Sequence, residues 1–78
     1  MEKLLRFVTS SLVSDPDQIR IETEESDRER TFILLLPQEE LGRLIGRHGK
    51  TAEALRTVLS AMGQRDDLKV NLRIRELD

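Results

Sequence analysis

Two short helical patterns meet at a bend of four residues, and this junction limits the possible folds more than any other feature of the sequence. Before the bend, Leu41, Leu44 and Ile45 recur at i, i+3 and i+4, and apolar residues repeat this spacing after it. Both segments are therefore predicted to be amphipathic helices. The bend, GRHG, has glycine at both ends, at Gly46 and Gly49, and glycine permits torsions and close approaches that a Cβ would forbid. We expect a backbone here that can lie flat against a ligand.

Periodicity along the rest of the chain predicts one more helix and three strands. A helical stripe at 3–13 ends near Ser14, because the proline in the SDPD segment disfavours helix in the residue before it. Alternation beginning at Ile19 and at Leu68 is typical of half-buried strands, and the apolar run at 31–36 is typical of a central strand. The charged run at 25–30 is predicted to be a solvated hairpin loop.

The two helices around the bend complete the element order. The second helix is predicted to open at Pro37, and the third to run from about Lys50 to Met62 and to stop at Gly63. The order is then α-β-β-α-α-β over a single domain, residues 1–78. If the last two strands are neighbours, the two-helix crossover between them makes them parallel. We therefore expect an α+β fold with a three-stranded mixed sheet and three helices on one face.

The central strand leaves one question open. Either Ile33 and Leu35 face the helices and Phe32, Leu34 and Leu36 point to the open face of the sheet, or the reverse. In both cases some apolar surface remains on the open face. A chain terminus or long charged side chains could cover it, or it could be a dimer or partner interface.

Composition excludes several classes of site. The 78 residues include no cysteine and one histidine, so disulfides, thiolate metal sites and histidine metal clusters are not expected. The N-terminus has neither the apolar run of a signal peptide nor that of a membrane span, which makes a cytoplasmic protein the default expectation.

Charge is distributed unevenly along the chain. Residues 1–42 carry five Lys and Arg against ten Asp and Glu, whereas residues 43–78 carry eight against five. Four of the cations surround the bend: Arg43, Arg47, Lys50 and Arg56. In a chain with an overall net charge of −2, this patch favours a few phosphate contacts and argues against strong non-specific duplex binding.

The bend and its surroundings resemble the KH domain of prokaryotic (type II) topology, whose hallmark is an (I/V)-G-x-x-G loop between two helices. Ile45-Gly46-Arg47-His48-Gly49 matches it, and over its whole length the chain is similar to the small stand-alone bacterial KhpA family. The resemblance implies single-stranded RNA as ligand, held by this loop. On such a loop Arg47 and Lys50 would supply positive charge to phosphates, and His48 would either donate a hydrogen bond or be simply exposed.

The resemblance also implies a groove beside the loop for the bases. Leu44, Ile45 and Leu55 would contribute to its wall unless they are core residues, and Gly63 to Asp67 would be the variable loop at its rim. With two aromatic residues in the chain, stacking is limited and binding is expected to be weak. Family resemblance further implies a homodimer, or a heterodimer with a second KH-containing protein of the KhpB type. It also implies activity as an RNA chaperone or post-transcriptional regulator linked to cell shape and the cell wall.

Two alternatives compete with RNA binding. The first is ATP or GTP binding and hydrolysis, because Gly49-Lys50-Thr51 resembles the end of a P-loop. However, position 44 is leucine where the P-loop motif needs glycine, and a predicted helix precedes the motif in place of a strand. With one histidine, no cysteine and dispersed acids, no catalytic constellation or cofactor site is predicted, and the chain is not expected to be an enzyme. The other alternative is a protein-interaction or dimerisation module in which the bend is only a tight turn.

Overall fold

The computed structural model describes residues 1–77, and the side chains of all of these except Arg47. Over this range the chain forms three α-helices and three strands: α1 (Glu2–Leu12), β1 (Arg20–Ser26), β2 (Glu29–Leu36), α2 (Gln38–Ile45), α3 (Lys50–Arg65) and β3 (Lys69–Glu76). Short 3-10 turns follow α1 and separate α2 from α3. The predicted order α-β-β-α-α-β is confirmed.

The sheet is mixed, with strand order β1-β2-β3. β1 pairs with β2 as an antiparallel hairpin, and β2 pairs with β3 in parallel, in the register Phe32 opposite Leu72. The parallel pairing confirms the expected two-helix crossover. It also leaves the outer edge of β3 without a neighbouring strand among residues 1–77.

The alternation of β2 resolves which residues face the helices. Phe32, Leu34 and Leu36 are buried, and they belong to one core cluster with Leu5 of α1, Leu44 of α2 and Leu59 of α3. Ile33 and Leu35 are half-buried on the opposite side of the sheet. The open face of the sheet is therefore partly apolar at its centre.

A buried carboxylate ties the end of α1 to the start of α2. Glu40 accepts hydrogen bonds at 2.9 Å from the backbone N–H groups of Ser14 and Asp15, and the Ser14 hydroxyl also donates to it. The carboxylate thus satisfies amides of the chain that leaves α1, and α2 is held against that segment.

Along residues 1–77, none of the helices is long and apolar enough to cross a bilayer.

The expected hairpin loop at 25–30 is wrong, because the strands continue almost to the turn. β1 extends to Ser26 and β2 begins at Glu29, which leaves a turn of two residues, Asp27 and Arg28. The charged residues pair across the ladder, and Arg30 forms a salt bridge with Glu25 at 3.0 Å. Charges are tolerated here because β1 is an exposed edge strand.

The predicted end of α3 at Gly63 is also wrong. The helix continues to Arg65, and Gly63 is buried inside it. A Cβ at this position would lie 2.5 Å from the Leu68 carbonyl oxygen and from Cγ2 of Val70, so glycine is needed for close approach of α3 to the start of β3. The connection between α3 and β3 is accordingly shorter than the expected variable loop of Gly63 to Asp67.

Candidate nucleic-acid interface

The GRHG bend (Gly46–Gly49) joins α2 to α3 through three residues with positive φ. Gly46 has φ 75° and ψ −179°, a combination accessible essentially to glycine alone. His48 (φ 58°, ψ 26°) and Gly49 (φ 73°, ψ 12°) are left-handed, and histidine is among the residue types enriched in that region. These torsions redirect the chain within four residues, so that α3 begins at Lys50 immediately after the bend.

A second constraint acts on Gly46. A Cβ at this position would collide with Oγ1 of Thr51 and would lie 2.9 Å from its Cβ. At Gly49, in contrast, a Cβ would meet nothing within 4 Å. Thr51, in the first turn of α3, therefore packs directly on the bend and helps to hold its shape. Sequence analysis considered Thr51 only as part of the P-loop-like Gly49-Lys50-Thr51, because packing across a bend leaves no periodic signal.

The bend is closed by its own backbone. The Gly46 N–H donates to the Gly42 carbonyl at 3.1 Å, which ends α2, and the Gly49 N–H donates to the Gly46 carbonyl at 3.3 Å. His48 and Lys50 are both exposed. The bend therefore faces solvent, next to the positive end of the α3 dipole.

The predicted site residues fall into two groups. Ile45, Gly46, His48, Gly49 and Lys50 lie together at the bend, and Ile45 is 38% exposed. Arg43 and Arg56 are held elsewhere: the Arg43 guanidinium lies 3.5 Å from Glu40, one turn back along α2. The side chain of Arg47 lies outside the part of the structure that is described.

Two of the expected wall residues are core residues. Leu44 is fully buried and Leu55 is 5% exposed, and both pack in the central cluster. Their expected role in a groove wall is therefore wrong. Ile45 alone of the three exposes apolar surface beside the bend, since it lies on the outer side of the last turn of α2.

A cleft of about 500 Å³ lies between α3 and the unpaired outer edge of β3. Its floor is formed by Val70, Asn71 and Leu72, and Arg56 stands at its α3 side. The Nε of Arg56 donates a hydrogen bond to the Leu72 carbonyl at 3.2 Å. Sequence analysis missed the β3 residues of this cleft, because the edge position of β3 follows from strand order and not from its alternating pattern.

Hydrogen bonding lowers the pKa of the Glu40 carboxyl below its ordinary value. The Asp15 N–H is the main cause; burial opposes it, and the Ser14 hydroxyl and N–H and the Arg43 charge act in the same direction as Asp15. Glu40 therefore stays ionised beside α2 and keeps Arg43 turned toward it. The Arg43 side chain thus points toward the preceding turn of α2 and away from the bend.

Comparison with known proteins places this geometry in a family. A sequence model described as "KhpA/KhpB, KH domain" matches residues 2–74. The chain belongs to the KhpA/KhpB KH-domain family. The resemblance to the KhpA family and the type II KH fold predicted from sequence are confirmed by this membership together with the observed topology. KH domains are nucleic-acid-binding modules, so membership also agrees with the expectation that the chain is not an enzyme.

Several KhpA proteins are similar over nearly their full length. RNA-binding protein KhpA of Listeria monocytogenes is 38% identical over 97% of this chain and 100% of its own. RNA-binding protein KhpA of Bacillus subtilis is 35% identical over 95% of this chain and 91% of its own. The corresponding KhpA of Chlamydia trachomatis is 29% identical over 97% of both chains. The similarity thus extends over all of the helices and strands.

Proposed function

We propose that this protein binds single-stranded RNA, with the sugar-phosphate backbone on the GRHG bend and the bases toward the α3/β3 cleft. The observation that carries the proposal is the solvent-facing bend, whose glycine torsions bring main chain to the surface beside exposed His48 and Lys50. The relatives that are named RNA-binding protein KhpA support the same ligand.

The small number of cations at the bend supports a short contact with the RNA that involves few phosphates. Arg47 lies within the bend and Lys50 directly follows it, whereas the first 42 residues carry an excess of acids. For a single strand, the logarithm of the affinity should fall with the logarithm of salt concentration by about 0.7 for each phosphate neutralised. Because few aromatic side chains are present, we expect affinities in the micromolar range or weaker.

A charge-reversal variant tests the proposal. In Arg47→Asp/His48→Asp, two carboxylates would face the phosphates, and binding of a short labelled single-stranded RNA should fall at least about tenfold at low salt. The Arg6→Asp/Phe7→Asp variant is the matched control. It changes the net charge by the same amount at two exposed positions of α1, which does not line the cleft, and it should bind RNA within about threefold of the parent because of screening.

Both variants should retain the helical circular dichroism of the parent. Equal RNA affinity of the parent and Arg47→Asp/His48→Asp would contradict the proposal. It would favour the alternative of a protein-interaction or dimerisation module.

The open face of the sheet supports that second function in its own right. Half-buried Ile33 lies between the acidic Glu22 of β1 and the basic Arg73 of β3, whereas Leu35 lies between Arg20 and Arg75. A second copy, turned about an axis parallel to the strands, would bring Glu22 opposite Arg73 and Arg20 opposite Arg75, so the apolar centre and the Glu22–Arg73 pairs would have to outweigh one like-charged pairing. We infer a homodimer, or a heterodimer with a KhpB-type protein, and a monomeric mass by light scattering at tens of micromolar would count against self-association.

The cellular role is proposed from family resemblance alone. We propose that the protein acts in the cytoplasm as an RNA chaperone or post-transcriptional regulator, with consequences for cell shape and the cell wall. Binding by a short, weakly charged surface suits a protein that engages many RNAs briefly. Deletion of the gene with no change in cell shape or in RNA levels would contradict this role.

A further inference from the structure

Arg56 is an exposed arginine of α3 whose guanidinium is held by a backbone carbonyl of β3. It lies two helical turns after Gly49, on the same side of α3, and its Nε donates to the Leu72 carbonyl at 3.2 Å. Because β3 is an edge strand, this carbonyl has no partner strand on that side. One bond thus anchors the guanidinium at the cleft, and less conformational entropy is lost when a ligand contacts it.

The charge of Arg56 is not neutralised by the surrounding residues. None of the salt bridges found within residues 1–77 includes Arg56. The acid of the cleft, Glu29, accepts a hydrogen bond from Asn71 at 2.8 Å and lies 3.8 Å from Lys69. The guanidinium is therefore available to a ligand, and the cleft keeps a positive character from Arg56 and Arg73.

The cleft also lacks the planar side chains on which nucleobases usually stack. Phe32 is 1% exposed in the core, and Phe7 lies on α1, which does not line the cleft. The guanidinium of arginine is planar and stacks on nucleobases, whereas the ammonium of lysine does not. Two guanidiniums line the cleft, and that of Arg56 is held by its hydrogen bond to Leu72, whereas none of the hydrogen bonds or salt bridges described within residues 1–77 includes the Arg73 side chain. Arg56 is therefore the preorganised planar group of the cleft.

We propose that Arg56 is the stacking platform for a nucleobase in the α3/β3 cleft, and that it gives this protein a preference for purines. The proposal rests on the proposed RNA binding and deepens it, since it assigns one residue to base selection rather than to phosphate contact. Purines present the larger ring surface to the guanidinium and gain more from stacking.

The test compares Arg56→Lys with the parent on six-nucleotide oligo(A) and oligo(U), each at two salt concentrations. Lysine keeps the charge but removes the plane, so the affinity for oligo(A) should fall about tenfold and that for oligo(U) much less. The salt dependence should stay unchanged. Arg65→Lys, at another exposed arginine of α3, is the control and should leave both affinities unchanged.

The outcomes separate this proposal from the one it rests on. If the parent binds neither oligonucleotide, RNA binding itself fails. If the parent binds and Arg47→Asp/His48→Asp does not, but Arg56→Lys binds oligo(A) as the parent does, only the role of Arg56 is overturned. Equal losses for oligo(A) and oligo(U), with an unchanged melting temperature, would also overturn it, because a charge or hydrogen-bond role would then suffice.

Discussion

The two glycines of the bend carry different constraints. Gly46 combines torsions open essentially to glycine with contact to Thr51, whereas Gly49 is left-handed with free space around it. A side chain at Gly49 costs torsional energy alone, but at Gly46 it also displaces the first turn of α3. The shape of the bend thus depends on its first glycine most of all.

At the residue scale, the expected result is that Gly46→Ala destabilises the fold by at least about 2 kcal/mol, from backbone strain and the clash with Thr51. Gly42→Ala is the matched substitution, since Gly42 lies within α2 and a Cβ there would meet nothing within 4 Å. It should stabilise the protein by about 0.5–1 kcal/mol. Urea unfolding followed by circular dichroism measures both. A Gly46→Ala protein as stable as the parent would show that the described bend geometry is not required.

At the scale of elements, α2 is held in place by the hydrogen bonds that Glu40 accepts from the segment after α1. α2 ends at the bend, so this carboxylate sets the position from which the bend starts. Its pKa is lowered in the folded protein, chiefly by the Asp15 N–H. A carboxyl that is more acidic in the folded state stabilises the fold above its unfolded pKa, and this contribution disappears as the pH falls through the folded pKa.

Glu40→Gln should therefore lower the urea midpoint at pH 7 and should reduce the loss of stability between pH 6 and pH 3. Glu39→Gln, at the exposed neighbouring position, should leave both nearly unchanged. Urea titrations of the three proteins at a series of pH values make the comparison. If Glu40→Gln and the parent lose stability in parallel on acidification, the carboxylate does not have the role described.

Local patterns were sufficient to predict the order of helices and strands, because the apolar run at 31–36 is typical of a central strand and the helical spacing at 41–59 reflects a buried side of each helix. They were insufficient where residues distant in sequence determine the ends of a helix or a strand. Gly63 was predicted to end α3, but glycine is needed at this position because Val70 of β3 packs closely against the helix. The pairing of Glu25 with Arg30 extended the hairpin beyond its apolar residues.

The candidate site was predictable to a similar extent. The bend and its flanking lysine could be placed from sequence, since glycine spacing and charge are local. The hydrogen bond from Arg56 to Leu72 joins residues 16 positions apart and depends on β3 being an edge strand. The burial of Leu44 and Leu55 likewise depends on how α2 and α3 pack together, which helical spacing alone does not determine.

At the scale of the whole molecule, the fold separates two surfaces of different character. The bend and the α3/β3 cleft carry cations beside exposed backbone, whereas the open face of the sheet has an apolar centre at Ile33 and Leu35, flanked by charges of both signs. Arg73 lines the cleft and also borders the open face, so the two surfaces meet along β3. We expect an RNA strand in the cleft to leave the apolar centre at Ile33 and Leu35 uncovered. Binding to RNA and association with another protein can therefore occur on the same molecule.

The central claim, that RNA lies on the bend, is tested most directly by amide chemical shifts in a ¹⁵N-labelled sample titrated with a six-nucleotide single-stranded RNA. We predict that the largest changes occur in the amides of residues 46–52 and along the outer edge of β3, and that they saturate at one RNA per protein chain. Shifts confined to the open face of the sheet, or no shifts at millimolar RNA, would contradict the account.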